Sequence, residues 1–146
     1  MEGNGFAYGT RSCTVYNSLC PELKKVFHPK FGVLRYRDHS LIEGFRPHER
    51  QDHLFATGKS KVAWPNSKHN TWPSDAVDAI PYPFKSEWWN SEKYFHVWAE
   101  WGSWVKGFAA ANGVLLRWGF DWDGDFDLKD QTFYDGPHFE VVRRNE

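Results

Sequence analysis

The first stretch with apolar residues at helical spacing lies near the start of the chain. Between Thr14 and Phe27 the apolar positions recur mostly every three or four residues, which predicts an amphipathic helix. Pro21 lies inside this stretch and favours the first turn of a helix. The alternative is therefore a helix that begins only at Pro21, with Ser18 or Cys20 near its cap.

Two further helices have clear ends in the sequence. The longer is predicted over residues 94–111, and Asn112-Gly113 follows it as a C-terminal stop. Its apolar stripe, which we expect in the core, consists of Tyr94, Val97, Trp98, Trp101, Val105, Phe108 and Ala109. Earlier in the chain, Pro47 predicts the start of a helix that runs through Ala56 and is closed by Gly58.

Short apolar runs between the helices predict strands. These runs are residues 33–36, 41–45, 76–80, 114–119 and 138–142. Residues 59–75 are polar and aperiodic, so we expect a long loop of the kind that is often functional. The alternation of elements predicts the α+β class, with a small antiparallel sheet, flanking helices and long loops. We expect a single domain over residues 1–146, in which about the first 12 residues are loosely ordered.

Aromatic residues are unusually frequent. Nine Trp, twelve Phe and six Tyr make up 18% of the chain, and large rings allow a short chain to bury a firm core. The tryptophans in predicted loops are instead candidates for a groove wall: Trp64, Trp72, Trp88 and Trp89. Cys13 and Cys20 are predicted to be small buried thiols without a disulfide, because seven helical residues would separate them by about 10 Å.

The charge balance excludes several classes of partner. A net charge of -1 and a pI near 6.7 argue against general nucleic-acid binding, which needs a basic surface. No run of about 20 apolar residues occurs, so we expect no membrane insertion. The first residues lack the basic and then apolar order of a signal peptide, which predicts synthesis in the cytoplasm without export by that route. We also expect a monomer.

Two histidines and a carboxylate form a candidate metal site. His69 lies in the long loop, whereas Asp78 and His138 lie in or beside predicted strands. Two imidazoles and one carboxylate are a common ligand set for a catalytic zinc that keeps one position open for water. Asp78 lies in an apolar run, where an unpaired carboxylate would be costly. The alternative is that His69 is a surface residue and that Asp78 pairs with an arginine.

Other polar residues are candidates for moving protons or binding charge. Asp135, three residues before His138, has the right chemistry to take a proton from a metal-bound water; the alternative is an ordinary turn carboxylate. Glu140 is the alternative base or a hydrogen-bond partner of His138. Arg46, after a predicted strand, is a candidate for binding a substrate carboxylate or a developing negative charge, or for a structural salt bridge.

An acidic loop follows the fourth predicted strand. Every second position carries a carboxylate, at Asp121, Asp123, Asp125 and Asp127. Calcium requires several oxygen ligands from a short segment, so this run is a candidate calcium loop. It departs from the EF-hand pattern because Phe126 and Thr132 replace the expected glycine and glutamate. A solvated acidic turn is the alternative.

In combination, these segments resemble the M15 family of zinc peptidases. The motifs are Ser67-x-His69, Asp75-Ala-Val-Asp78, Asp135-x-x-His138-Phe-Glu140 and Gly44-Phe45-Arg46-Pro47-x-Glu49-Arg50-Gln51. The family includes D-Ala-D-Ala carboxypeptidases and dipeptidases, and phage endolysins that cut the L-alanyl-D-glutamate bond of peptidoglycan. Residues 117–125 resemble the endolysin branch, in which the equivalent loop can bind calcium. The resemblance spans roughly residues 40–142 and implies a D,D-peptidase or hedgehog-like fold.

The resemblance also implies a role for each matching residue. His69, Asp78 and His138 would bind zinc, Asp135 would be the catalytic acid and base, and Arg46 would bind substrate and stabilise the transition state. Ser67 is an additional candidate for substrate binding. In the family, the aspartate usually lies seven positions after the first histidine, with a glycine between them. Here the separation is nine, so we expect the loop to bulge, and Asp75 becomes a rival ligand.

The resemblance thus implies a zinc-dependent peptidoglycan endopeptidase, with calcium as a second candidate metal. The alternatives are a D-alanyl-D-alanine carboxypeptidase on the same scaffold and an inactive module that binds the wall or a metal. By analogy with endolysins, we expect the protein to reach the bacterial wall after its release by a separate pore protein.

Overall fold

The structure, a computed structural model, describes residues 5–89, 92–125 and 134–143 and contains four α-helices, four 3-10 turns and four strands in those ranges. The helices are α1 (Thr10–Asn17), α2 (Pro21–Val26), α3 (His48–Ala56) and α4 (Phe95–Ala111). The strands are β1 (His39–Glu43), β2 (Ala76–Pro81), β3 (Leu116–Gly119) and β4 (Asp135–Val141). They form one antiparallel sheet in the order β1-β2-β4-β3, which confirms the α+β prediction.

Helix α4 covers one face of the sheet. The indole N–H of Trp101 donates to the carbonyl of Ala79 at 3.0 Å, and its ring meets Phe139 edge to face. Gly102 permits this close approach, because a Cβ there would lie 2.3 Å from the ring of Trp118. Since neighbouring residues of a strand point to opposite faces, Phe139 on the α4 side places its neighbours His138 and Glu140 on the other face.

The first predicted helix is two helices. Cys20 is the N-cap of α2 and Pro21 its first residue, as in the alternative interpretation. Between α1 and α2 the backbone bonds to the long loop: Cys20 N–H donates to the Ser74 carbonyl at 2.9 Å, and Ser74 N–H donates to the Ser18 carbonyl at 2.7 Å. In a continuous helix, the backbone groups of Ser18 and Cys20 would bond within the helix instead of to Ser74. Pro21 also has no backbone N–H with which to form the hydrogen bond of a helix interior.

Two other expectations near the N-terminus were wrong, those for residues 33–36 and for burial of Cys13. Residues 33–36 do not form a strand; Val33–Arg35 is a 3-10 turn, in which Arg35 N–H donates to the Gly32 carbonyl at 3.2 Å and Tyr36 N–H to the Val33 carbonyl at 3.0 Å. Helix α1 begins inside the segment expected to be loosely ordered, and Ser12 anchors it by accepting a hydrogen bond from Leu41 N–H at 3.0 Å. Cys13 is exposed; both cysteines are free, as predicted, and Cys20 is buried.

The remaining elements agree with the sequence patterns. Gly58 and Gly113, at φ +76° and +78°, follow the ends of α3 and α4, where a left-handed residue closes a helix. Trp98, Trp101, Val105 and Ala109 are buried, whereas Phe108 is half-buried. No helix in the described part of the chain is both long and apolar enough to cross a membrane.

Candidate active site

Three of the predicted residues converge on the sheet face opposite α4. The Nε2 atom of His69, the Oδ1 atom of Asp78 and the Nδ1 atom of His138 are separated pairwise by 3.2, 3.3 and 3.3 Å. Ligands about 2.05 Å from a tetrahedral zinc ion lie about 3.3 Å from one another. The donor atoms and their spacing therefore fit a metal ion of that size.

The sheet and a capped turn position these donors. Asp78 and His138 lie directly opposite each other on the neighbouring strands β2 and β4, so the backbone register brings their side chains together. His69 lies in the 3-10 turn Lys68–Asn70. Ser67 caps that turn by accepting a hydrogen bond from His69 N–H at 3.1 Å, and Asn70 Oδ1 accepts from Ser67 N–H at 3.1 Å.

A second hydrogen bond orients each imidazole. The Nδ1 atom of His69 lies 2.7 Å from the carbonyl oxygen of Gly44, which can only accept, so Nε2 carries the lone pair toward the cluster. The Nε2 atom of His138 lies 2.8 Å from one carboxylate oxygen of Glu140, and the other oxygen of Glu140 accepts from Arg117 at 3.1 Å. Such partners are typical of metal-ligating histidines. They favour Glu140 as the partner of His138 rather than as the base.

The electrostatics of the cluster favour a positive charge among these side chains. Burial alone would raise the pKa of Asp78, but the neighbouring His69 and His138 outweigh it and hold the pKa well below its usual range. Burial alone would lower the pKa of His138, but hydrogen bonds with Asp78 and Glu140 raise it to about 10. A metal ion bound there would supply the positive charge in place of a proton.

Asp135 reaches the site through an irregularity in β4. Trp118 pairs with Phe139, but the next residue of β3, Gly119, pairs with Asp135, so β4 carries three extra residues at this point. A Cβ on Gly119 would lie 2.0 Å from the Asp135 carbonyl oxygen, so the close approach requires glycine. The Trp118 indole N–H holds the bulge by donating to the Gly136 carbonyl at 2.8 Å.

The environment of Asp135 suits proton transfer. Burial and the negative charge of Asp78 raise the pKa of Asp135 to about 6, although His138, His69 and Arg46 oppose this shift. A carboxyl group with a pKa near neutrality can take up and release a proton at physiological pH. Asp135 begins a strand beside the cluster, which disfavours the interpretation as a turn carboxylate.

The similarity to known proteins covers nearly the whole chain. A sequence model of the family described as phage L-alanyl-D-glutamate peptidase matches residues 4–142. The chain belongs to this family. It is 33% identical over 144 residues to the L-alanyl-D-glutamate peptidase of Escherichia phage T5, an alignment that covers 94% of this chain and 98% of that protein.

A solved structure of a related enzyme has the same fold. The L-Ala D-Glu endopeptidase ChiX of Serratia marcescens superposes with a TM-score of 0.70 at 26% sequence identity. The match covers 97% of this chain and 94% of ChiX. The resemblance to the endolysin branch of the M15 zinc peptidases is thereby confirmed.

In this family member, Arg46 lies beside the cluster. One guanidinium nitrogen is 3.9 Å from the second carboxylate oxygen of Asp78, another donates to Gln51 at 3.0 Å, and Glu43 forms a close ion pair. Asn70 ties the segment to the 3-10 turn by donating to the Arg46 carbonyl at 3.0 Å. The salt-bridge interpretation of Arg46 is confirmed by its pair with Glu43, and the guanidinium also faces the cluster, whereas substrate binding by Arg46 stays a prediction.

Three of these contacts were not foreseen from the sequence. Glu43, Gln51 and Asn70 surround Arg46. Gln51 is the last residue of the sequence motif that begins at Gly44, and this position in the motif was the one indication of its importance. Glu43 lies on β1 opposite Asp78, a relation that only the strand register reveals.

Asp75 is not a rival ligand in this structure. Its carboxylate pairs with Arg143 at 3.0 Å, away from the histidines. The long spacing between His69 and Asp78 is absorbed by residues 71–73, which are exposed, with the Trp72 ring standing edge-on against Phe45. The loop therefore bulges outward, as expected, while Asp78 keeps its place in β2.

The acidic loop lies close to the cluster. Asp121, Asp123 and Asp125 have carboxylate oxygens within 4.8 Å of one another; the first is buried and the other two are exposed. Asp127, Phe126 and Thr132 lie outside the described residues. The ring of Trp122, inside this loop, packs 5.3 Å from the ring of His138.

The predicted groove tryptophans lie in different places. Trp72 is 67% exposed beside Phe45, and Trp64 stacks on His48 at 4.8 Å. Trp89 lines a cavity that also contains Asp135. Trp88 is half-buried, and its carbonyl accepts a hydrogen bond from the Trp98 indole.

Proposed function

We propose that this protein is a zinc-dependent endopeptidase that hydrolyses the L-alanyl-D-glutamate bond of peptidoglycan stem peptides. Its family membership and the activities named for its relatives support the reaction. The observation that carries the proposal is the tetrahedral spacing of the three donor atoms beside a carboxyl group with a raised pKa.

His69, Asp78 and His138 would hold the ion. When bound, a zinc ion supplies a Lewis acid for the scissile carbonyl and a water of lowered pKa. The carbonyl of Gly44 and the carboxylate of Glu140 keep both imidazoles in the orientation that such an ion requires.

Asp135 would move the proton during hydrolysis. With a pKa near 6, its carboxylate accepts the proton of the attacking water and then delivers it to the leaving amine of D-glutamate. Arg46 would stabilise negative charge that develops on the scissile carbonyl oxygen, and its contacts with Glu43 and Gln51 hold the guanidinium in place. Ser67 would act through its cap on the turn that carries His69.

We also propose calcium as the ion of the acidic loop. The three carboxylates of Asp121, Asp123 and Asp125 are close enough to share one cation, and hard oxygen ligands suit calcium. Trp122 lies between these carboxylates in sequence and against His138 in space. An ion in this loop would therefore stabilise a residue that contacts a zinc ligand.

Product identification after digestion of purified peptidoglycan tests the proposed reaction. The proposal expects new N-terminal D-glutamate by mass spectrometry, and its loss when a chelator is present. Release of terminal D-alanine alone would identify a carboxypeptidase, and intact wall with full metal content would indicate an inactive binding module. We further propose that the protein acts on the wall after release by a separate pore protein, in keeping with its similarity to a phage enzyme.

A further inference from the structure

A small cavity adjoins the proposed active site at Asp135. Its volume is about 220 Å³, which exceeds the ~150 Å³ of an apolar protein cavity that binds benzene. The residues that line it are Lys59, Trp89, Phe95, Trp98, Phe120, Tyr134, Asp135, Gly136 and Pro137. Asp135 therefore connects the cavity with the proposed active site. Its carboxyl group interacts electrostatically with Asp78, His69 and His138, and the residue also lines the cavity.

Aromatic side chains form one part of the wall and are firmly packed. The rings of Phe95, Phe120 and Tyr134 contact one another with centroids 4.8 to 5.0 Å apart. Trp98 is fixed by the hydrogen bond from its indole N–H to the carbonyl of Trp88, 2.9 Å away. Such a wall suits the methylene groups of a short side chain, and specificity then depends on the few polar groups present.

Lys59 supplies the positive charge among the described residues of this wall. It follows Gly58 at the end of α3, and its backbone N–H is anchored to the Leu54 carbonyl at 2.9 Å. Its side chain is exposed, and among the described residues no carboxylate forms an ion pair with it.

Arg46, the other cation discussed at the site, is much less available. Its guanidinium is almost buried, and Glu43 compensates its charge through a close ion pair, while Gln51 accepts a further N–H. An incoming carboxylate would have to compete with Glu43 for Arg46. Among the residues that the structure describes, no carboxylate competes in this way for Lys59.

The chemistry of the substrate supplies a matching anion. A D-glutamyl residue acylated on its amine still has two carboxyl groups, and at most one of them continues the peptide. If the γ-carboxyl continues it, the free α-carboxylate is attached to the same carbon as the leaving amine. Because Asp135 would protonate that amine, the α-carboxylate must lie close to Asp135.

We propose that this cavity is the subsite for the D-glutamyl residue, and that the ammonium of Lys59 pairs with the carboxylate that does not continue the chain. The aromatic wall would pack against the methylene groups of the same residue. The assignment rests on the proposed function, since it takes its ligand from the reaction.

Binding of a reaction product tests the subsite without requiring bond cleavage. The probes are D-glutamyl-L-lysine linked through the γ-carboxyl, which has a free α-carboxylate, and the same dipeptide with an α-carboxamide. Affinity is measured by NMR titration, with intrinsic tryptophan fluorescence as a second signal. We expect the protein to bind the carboxylate about 10- to 100-fold more tightly than the amide, the value of a charge-assisted hydrogen bond.

Three variants make the test specific. Lys59→Gln is expected to abolish the preference for the carboxylate, and Lys59→Arg to keep most of it. Lys61→Gln removes the same charge two residues away, from a side chain outside this cavity wall, and is expected to keep the preference. Because Lys59 is exposed, its replacement leaves the core unchanged, which a thermal melt verifies.

An unchanged preference in Lys59→Gln overturns the assignment, and so does an equal loss in Lys61→Gln, which would indicate a general charge effect. Digestion of peptidoglycan by the unmodified protein is measured in parallel. A carboxylate preference that depends on Lys59, without any hydrolysis, would overturn the proposed function and leave the subsite standing. Hydrolysis by the unmodified protein, together with an unchanged carboxylate preference in Lys59→Gln, would support the proposed function and overturn the subsite.

Discussion

Trp122 lies within one cluster of candidate metal ligands and packs against the other. The two clusters differ in the contacts that hold their side chains in place. In the cluster of His69, Asp78 and His138, each side chain makes a further contact that holds its orientation: a backbone carbonyl, Arg46 and Glu140, respectively. In the acidic loop, Asp123 and Asp125 are exposed. The first cluster is therefore arranged before an ion binds, whereas the second gathers like charges that a cation must hold together.

This difference predicts different consequences of losing the ion. When a preorganised site in a sheet loses its ion, catalytic activity is lost but the fold persists, because other contacts keep the ligands oriented. A loop of like charges gains order from its ion, so that its removal is felt mainly as lost stability. Variants of each cluster test this expectation.

The largest effect is expected from removing a ligand of the first cluster. Asp78→Asn should reduce metal content and bring hydrolysis to background, because the neutral amide neither attracts the cation nor compensates the histidines. Metal analysis and peptidoglycan digestion measure the two outcomes. Asp75→Asn is the matched control, since Asp75 pairs with Arg143 instead. Full activity in Asp78→Asn, or the same loss in Asp75→Asn, would contradict the assigned ligand set.

Replacement of the proposed base should separate chemistry from metal binding. Asp135→Ala is expected to keep the metal and to lower kcat by at least about 100-fold, the usual contribution of a positioned base. The measurement is single-turnover hydrolysis with metal content determined on the same sample. Turnover equal to that of the parent protein would reassign the role, with Glu140 as the next candidate.

Glu140→Gln tests the bracing of His138. Replacement of the carboxylate by a neutral amide is expected to weaken metal affinity about 10- to 100-fold, because the imidazole then has a weaker, uncharged acceptor. Competition with a chromogenic chelator gives the affinity. Glu100→Gln, on the outer face of α4, removes a carboxylate paired with Arg37 and is expected to leave the affinity unchanged. Equal affinities in all three proteins would show that the brace is dispensable.

The pH dependence should report the protonation of Asp135. Its pKa is raised to about 6, so the base form is present above that value and is lost as the pH falls through it. A bound cation lowers this pKa, and we expect the acid limb of kcat/KM to have its midpoint at or below about 6, with roughly tenfold loss per pH unit beneath it. The profile is measured with metal content held constant. A midpoint well above 6 would assign the limb to another group.

Calcium should affect stability most and chemistry least. Calcium at 100 times its Kd would stabilise the fold by about 2.7 kcal/mol. For a chain of this size, that corresponds to a rise in Tm of roughly 5–10 °C. Asp123→Ala should abolish the rise, whereas Asp52→Ala, an exposed aspartate of α3, should keep it. A parent protein whose Tm ignores calcium would leave the loop as a solvated acidic turn.

The sequence could predict the parts of the site that depend on local pattern. Asp78 and His138 lie at the strands that their apolar neighbours indicate, and His69 precedes β2 in an aperiodic loop. The partners of Arg46 could not be predicted, because Glu43 meets it through strand register and Asn70 through the 3-10 turn. The strand predicted at residues 33–36 was wrong because a short apolar run such as Val33-Leu34 is compatible with a strand and with a helical turn, and so short a run has no periodicity that distinguishes them.

The bulge in β4 limits how this site could be transferred to another protein. In a regular strand, residues three apart point to opposite sides, so Asp135 and His138 could not serve one reaction centre. Here Gly119 and Gly136 let the strand detour, and a Cβ on Gly136 would collide with Trp98 at 2.5 Å. If only the metal ligands were transferred to another sheet, Asp135 would not reach the reaction centre. The two glycines and the tryptophans against which they pack would have to be transferred with the ligands.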